Sequence, residues 1–255
     1  MKSILTFVCF VSCFDVFATQ HQTRMAALIA TLRPVLAFPA ASADGELPAD
    51  HSPRSKWFVV WPTTPDDTRI VVKANPLHPE IQKAGAEAMT GINAAVAAAE
   101  RKAQAAYDKA LEELRRTGKG SDIEAITLDD EGVAGERIDA ELELVIELQP
   151  AASFEIASSQ SPEVAAGTRG ATWMVVIPAN TYRAKRGADL REHFRPAEAR
   201  IYFGVPSKPE IARKSDEPVF SVTVPATTGG FAVGIRGNEA LLKQLIGAAD
   251  WSNLR

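Results

Sequence analysis

A long stretch of helix-forming residues limits most strongly what this chain can fold into. Residues 79–117 are rich in Ala, Glu, Lys, Arg and Leu, and these residue types favour helices. Asn75-Pro76 and Pro79 mark the start of the helix, and Gly118 marks its end. An unbroken helix of about 38 residues is about 57 Å long, whereas a compact domain of about 200 residues is roughly 40–45 Å across. We therefore expect the helix either to break near Thr90-Gly91 or to project and pair with something.

The apolar residues of this stretch recur at steps of three and four, which predicts one continuous stripe along the helix. Its members are Ile81, Gly85, Ala88, Ile92, Val96, Ala99, Ala103, Ala106, Ala110 and Leu114. Most of them are small, so whatever packs on the stripe comes close. The ordinary interpretation is a helix packed on a sheet. The alternative is a surface for self-association or for a partner, although Lys102 and Lys109 interrupt a strict heptad repeat.

The rest of the chain predicts mainly strands. Two apolar runs, residues 57–61 and 69–73, flank the turn residues 62–67 and predict a hairpin. Residues 138–148 alternate between apolar and mostly acidic positions, which predicts a strand with one wet, acidic face. Further strands are predicted at residues 153–158, 171–177, 199–203, 219–224 and 231–235, the last two as a hairpin.

Asn238 predicts the N-cap of a short C-terminal helix over residues 239–246. The strands cluster, and only one long helix interrupts them, which is typical of α+β proteins rather than of alternating βαβ units. The predicted fold is α+β, an antiparallel sheet or sandwich of about seven to eight strands with one long Ala-rich helix and a short C-terminal helix.

The first 43 residues have the composition of an export signal. Lys2 precedes the apolar run 4–14, and a charged residue followed by a short apolar run is typical of a secretory signal peptide and too short for a membrane span. Small residues permit cleavage after Ala18, and Ala41-Ser42-Ala43 forms a second candidate site, with cleavage after Ala43. A true start at Met25 would also explain two tandem signals.

We therefore divide the chain into a presequence over residues 1–43, a polar leader over 44–56 and a single α+β domain over 57–255. The predicted location is periplasmic or extracellular, without a transmembrane span in the mature chain. Residues 11–13 loosely resemble a bacterial lipobox, which makes a lipid anchor at Cys13 a minor alternative. The main interpretation is that Cys9 and Cys13 are ordinary residues of the apolar run.

If the presequence is removed, the mature chain contains no cysteine, because the chain has only Cys9 and Cys13. Disulfides, a thiolate nucleophile and a cysteine-based zinc site are then excluded. The full chain has a net charge of −4 and the presequence carries +2, which leaves −6 from Asp44 onwards. This mild acidity argues against a nucleic-acid partner.

Candidates for catalytic or metal chemistry are weak. His51, His78 and His193 remain in the mature chain, but no HExxH or GxSxG motif is present. Residues 129–132 hold three consecutive acidic residues, whose spacing does not match an EF-hand. An ordinary acidic turn is the preferred interpretation of these residues. We therefore assign no catalytic residue, no cofactor and no metal ligand.

Charge is distributed unevenly along the chain. Residues 122–147 hold ten acidic residues opposed by Arg137, whereas basic residues predominate between residues 183 and 214. The preferred interpretation is that these segments fold against one another with compensating charges. The alternative is a bipolar surface that binds a second copy or a charged envelope polymer.

The leading hypothesis is an exported, non-enzymatic binding or structural module of the cell envelope. Self-association would use the stripe residues Ile81, Ile92, Val96, Ala99, Ala103 and Ala106. One alternative is a secreted or periplasmic hydrolase, in which His193 or Glu192 meets another polar group in a pocket. A second alternative is a carrier of a small ligand, with an apolar cavity near Trp173.

Overall fold

The computed structural model describes residues 19–42, 54–64, 67–118, 129–167, 169–186, 189–215 and 217–255. Within these residues the helices are α1 (residues 19–32), α2 (Pro79–Thr117), α3 (Asp129–Leu142) and α4 (Glu239–Ala248), and a 3₁₀ turn, Trp251–Leu254, follows α4. The strands are β1 (Trp57–Val60), β2 (Arg69–Ala74), β3 (Glu143–Pro150), β4 (Phe154–Ala157), β5 (Glu163–Ala166), β6 (Trp173–Ile177), β7 (Asn180–Arg186), β8 (Asp189–Arg195), β9 (Ala197–Phe203), β10 (Glu210–Lys214), β11 (Val219–Thr223) and β12 (Phe231–Gly237). The predicted α+β class is confirmed.

A seven-stranded sheet dominates the fold, in the order β1-β2-β3-β12-β9-β6-β5, with antiparallel pairing throughout. The predicted hairpin of β1 and β2 is confirmed, with Val59 opposite Val72. The last strand, β12, lies in the middle of the sheet, between β3 and β9. The large sheet is therefore complete only after β12, near the C-terminal end of the chain, has been inserted between β3 and β9.

Several strand predictions need correction. Residues 138–142 are the end of helix α3 rather than the start of a strand, and only residues 143–148 of the predicted strand lie in β3. Strands β11 and β12 do not form a hairpin, because β11 pairs with β10 and β4 in a separate three-stranded sheet. A third sheet consists of the hairpin β7–β8, which the sequence analysis did not predict.

One face of the large sheet forms the main hydrophobic core. Ile70, Ile146, Val233 and Ile235 are fully buried there. They pack in one cluster with residues of α1, of α4 and of the 3₁₀ turn, including the fully buried Trp251. Asn238 caps α4 as predicted, its side chain accepting a hydrogen bond from the backbone N–H of Leu241 at 2.9 Å.

The other face of the sheet is covered only in part. The three-stranded sheet packs over β6 and β9 and forms a second, smaller core, whose buried residues are Ile156, Val175, Ile177, Tyr202, Val205, Phe220, Val222, Val224 and Ala232. Over β2, β3 and the end of β12, the same face carries exposed or half-buried charged side chains. This open region holds the candidate site described below.

The long helix α2 is unbroken over its 39 residues. It ends at Gly118, whose left-handed φ of 67° lets its N–H donate to the carbonyl of Leu114. No residue of α2 whose side chain is described is buried, and Met89, Tyr107 and Leu114 are exposed. The interpretation of α2 as a helix packed on the sheet is therefore wrong. Within the described ranges, no helix is long and apolar enough to cross a membrane.

Candidate functional site

The open part of the sheet carries two rows of side chains that run across neighbouring strands. In the first row, the register places Arg69, Glu147, Gly234 and Arg200 side by side on β2, β3, β12 and β9. In the second row, Val145, Arg236 and Glu198 lie side by side on β3, β12 and β9. Neighbouring strands are about 4.8 Å apart, so these charged groups form one compact cluster, which we call the arginine cleft.

Glu198 is the buried anion of the arginine cleft, with only 7% of the residue exposed. One of its carboxylate oxygens accepts a hydrogen bond from Nε of Arg200 at 2.8 Å, and the other accepts from Arg195. Arg200 also lies over the ring of Phe154, with its Cζ 3.5 Å from the ring centre. A buried carboxylate with two arginine partners holds both guanidinium groups in fixed positions.

Arg195 is a half-buried cation of the arginine cleft, with 22% of its side chain exposed, as for Arg200. Burial lowers the pKa of its guanidinium, and the nearby Glu198 opposes that shift. An arginine remains protonated at physiological pH even after such a shift. The fold therefore retains a positive charge in a partly desolvated position, where its attraction for an anion is stronger than in water.

The opposite wall of the arginine cleft is built on β2 and β3. Arg69 forms an ion pair with Glu147, and the side-chain amide of Gln149 lies 3.4 Å from the second oxygen of Glu147. Gly234 makes room for that amide, because a Cβ at position 234 would come within 2.6 Å of the Gln149 nitrogen. Glycine is unfavourable in a strand interior and often marks a close approach of this kind.

The arginine cleft has a surplus of positive charge. It has a volume of about 270 Å³, and its described lining includes Arg69, Arg195, Arg200 and Arg236 but only two acidic side chains, Glu147 and Glu198. Arg236 is exposed, and no ion pair with another described residue involves it. The guanidinium fork of arginine matches the geometry of carboxylate and phosphate groups. A small anionic group is therefore the ligand that fits this arrangement.

A second cleft of about 640 Å³ adjoins the first and has the opposite charge balance. The two clefts share Val145 and Arg236. The second cleft lies between helix α3 and the sheet, and its charged residues besides Arg236 are Lys73, Glu136, Asp139 and Glu143. The open face therefore presents a basic site next to a mainly acidic one.

Two of the histidines considered in the sequence analysis, His78 and His193, make contacts that support the fold, and the third lies outside the described residues. His78 caps α2, its Nδ1 accepting from the N–H of Glu80 at 3.3 Å. His193 stacks on Tyr182, with 5.5 Å between ring centres. Glu192 pairs with Arg183, and neither Glu192 nor His193 lines either cleft. His51 lies outside the described residues.

The acidic run at residues 129–132 belongs to the first turn of α3 rather than to a loop, and its side chains lie outside the described part of the structure. Among the residues that are described, no group of three or more His, Cys, Asp or Glu side chains could hold a metal ion. The structure does bring the acidic and basic segments together: Glu136 on α3 accepts a hydrogen bond from the N–H of Phe194 on β8. This contact agrees with the interpretation that the segments fold against one another.

Sequence reasoning placed Arg195, Glu198 and Arg200 in a charged segment but did not identify a site. One sequence signal could have indicated that Glu198 and Arg200 share a face of the sheet, namely their alternation with apolar residues in β9. The insertion of β12 between β3 and β9, which brings Arg236 to Glu198, has no local sequence signal. No family model, no curated protein and no solved structure matches this chain.

Proposed function

We propose that this protein is an exported, non-enzymatic binding module of the cell envelope that takes a small anionic ligand in the arginine cleft. The observation that carries the proposal is the convergence of four arginines on only two carboxylates. Arg195 and Arg200 are half-buried and share the single carboxylate of Glu198, and like charges in a partly buried site oppose folding unless a counter-charge is present. A carboxylate or phosphate group would supply the missing charge.

The adjoining cleft extends this proposal to the rest of the ligand. Glu136, Asp139 and Glu143 lie in it, beyond Arg236. A molecule that carries an amine a few bonds from its acidic group could place the acid in the arginine cleft and the amine beside these carboxylates. Amino-acid-bearing molecules have this dipolar chemistry, whereas inorganic phosphate has only its acidic half.

The export part of the proposal comes from the N-terminal sequence, where Lys2 and the apolar run 4–14 have the pattern of a signal peptide.

The non-enzymatic part is supported by the surroundings of the histidines. His193 stacks on Tyr182 and lies away from the clefts, so the hydrolase alternative has no residue pair that favours it. Trp173 packs against the smaller core, and no observation favours a ligand cavity beside it.

Titration calorimetry at low ionic strength tests the proposed ligand class. The probes are inorganic phosphate, acetate and glutamate, which separate a phosphate ligand, a bare carboxylate and a dipolar carboxylate. We expect glutamate to bind more tightly than acetate. We also expect binding to weaken as salt is added, since exposed charges are screened within about 10 Å at 0.1 M.

The decisive variant is Arg236→Ala, because Arg236 is exposed and its removal leaves no buried charge unpaired. We expect a loss of affinity of about tenfold or more, in line with a charge-assisted hydrogen bond. Arg213→Ala is the matched control, since Arg213 is an exposed strand arginine on β10, away from the cleft. Equal affinity of both variants and the parent protein for every probe would exclude the arginine cleft as the site.

We further propose that α2 is a self-association surface, with a second copy of this chain as the partner. The support is that the stripe residues whose side chains are described are half-buried or exposed, although the sequence repeat gathers the apolar residues on one side of the helix. The N-terminal half of α2 carries a net charge of −1 and the C-terminal half +1. This charge distribution and the helix dipole both favour antiparallel pairing of two copies.

A further inference from the structure

Helix α1 lies in the main core, although the sequence assigns its residues to the presequence. Met25, Leu28, Leu32 and Leu36 are between 0 and 5% exposed and belong to the same cluster as the apolar face of the large sheet. The spacing of Met25, Leu28 and Leu32 by three and four residues places them on one side of α1, and Leu36 follows about one turn beyond its end. Ala26 and Ala30, on the other side, are exposed. This is the burial pattern of an amphipathic helix built into a globular core.

Helix α4 packs on β9 and β12. The buried residues of α1 belong to the same cluster as those of β2 and β3. Ile70 and Val72 on β2, and Leu144 and Ile146 on β3, are 0% exposed. Removing α1 would take its buried residues out of this cluster and expose apolar side chains packed against them, and soluble monomers rarely expose apolar patches of more than a few hundred Å².

Contacts fix this segment both within α1 and beyond its end. Arg24 donates to the carbonyl of Gly229 at 2.8 Å and lies over the ring of Phe231, 4.2 Å from its centre. Farther along, the N–H of Val59 donates to the carbonyl of Pro39, and the N–H of Ala41 donates to the carbonyl of Val59, both at 2.9 Å. Residues 39–41 therefore extend the sheet beside β1 as a short parallel bridge.

We infer that residues 19–42 are retained in the mature protein, so that a leader ends at Ala18 and the Ala41-Ser42-Ala43 sequence stays uncut. Cleavage after Ala43 would remove four buried core residues and the short segment that bridges to Val59 on β1. Cleavage after Ala18 would leave Thr19, the first residue of α1 that the structure describes. The inference depends on the proposed export but not on the proposed ligand.

Intact-mass spectrometry of the processed protein tests the inference. The full chain, with its own N-terminus, is produced in a Gram-negative host, and the folded protein is recovered from the periplasm. A mature N-terminus at Thr19 supports the inference, and one at Asp44 in a folded, monomeric protein overturns it. A chain that stays uncleaved in the cytoplasm overturns the proposed export while keeping α1 with the fold.

A pair of substitutions tests the role of α1 independently of processing. Leu28→Gln places a polar amide in the main core, and we expect the melting temperature to fall by roughly 10 °C. Ala30→Gln, on the exposed side of the same helix, should change it by less than about 2 °C. Equal melting temperatures for the two variants would show that α1 does not form part of the core in solution and would overturn the inference.

Discussion

Asp250 illustrates how one exposed side chain makes stability depend on pH. Its carboxylate accepts a hydrogen bond from the N–H of Ser252 at 3.1 Å and so caps the turn that places Trp251 in the core. Hydrogen bonds from Ser252 lower the pKa of Asp250, and the nearby Arg169 adds to that shift. A depressed folded-state pKa means that the stabilisation is present above about pH 4 and is lost as the pH falls through the lower, folded-state pKa.

We therefore expect Asp250→Ala to lower the melting temperature by roughly 2–4 °C at pH 7. This gap should close as the pH falls below the lowered folded-state pKa of Asp250, since the carboxylate of the parent protein then becomes protonated. Asp250→Asn is the control, because an asparagine caps without a charge and its own contribution should not vary with pH. Thermal unfolding followed by circular dichroism between pH 2 and 7 measures all three proteins, and a constant gap over this range would contradict the argument.

At the scale of single residues, the sequence identifies the charges of the arginine cleft but not their convergence. The alternation of β9 indicates that Glu198 and Arg200 share one face. Whether that face is wet, buried or part of a site depends on which strands lie beside it. Arg236 is 36 residues farther along the chain than Arg200 and meets Glu198 only through the sheet register.

At the scale of elements, local sequence signals predicted helices well where capping residues and composition agree. Proline at the start and Gly118 at the end gave the limits of α2 within a few residues. The same reasoning failed at residues 138–142, which are helical although they alternate like a strand. Helix α3 contacts the hairpin β7–β8 and also α2, so tertiary packing overrides a weak local preference there.

Helix α2 gives a prediction at the same scale, because its residues are not needed for the core. Ile92→Glu combined with Val96→Glu places two charges on the apolar stripe. We expect the fold and its melting temperature to be retained within about 2 °C, as for surface substitutions, and the dimer to dissociate. Light scattering on a sizing column measures the mass of the variant and of the parent protein.

The control for the stripe is a matched pair on the opposite side of the same helix. Ala94 and Ala98 are exposed, so Ala94→Glu with Ala98→Glu adds the same charge away from the stripe and should leave the dimer intact. A parent protein that runs as a monomer at all concentrations would reject self-association through α2. Unfolding of the stripe variant would instead show that α2 contributes to the core.

At the scale of the whole molecule, one sheet serves two cores. Strand β9 places Ile201 and Phe203 in the main core and Tyr202 in the smaller one, all three nearly or fully buried. Burial raises the pKa of Tyr202 to about 12, so this side chain stays neutral throughout the physiological range. Because β6, β9 and β12 belong to both cores, neither core can lose its packing without distorting the strands of the other.

We therefore expect the two cores to unfold in a single transition. Ile156→Ala in the smaller core and Leu245→Ala in the main core should each destabilise the protein by about 2–5 kcal/mol, as deletions of buried aliphatic side chains do. Leu77→Ala, at a leucine that is 55% exposed, is the control and should have little effect. Hydrogen exchange distinguishes a single unfolding transition from separate unfolding of the two cores. Ile156→Ala should lower the protection of β3 as much as that of β11. Loss of protection in β11 alone would mean that the smaller core unfolds independently.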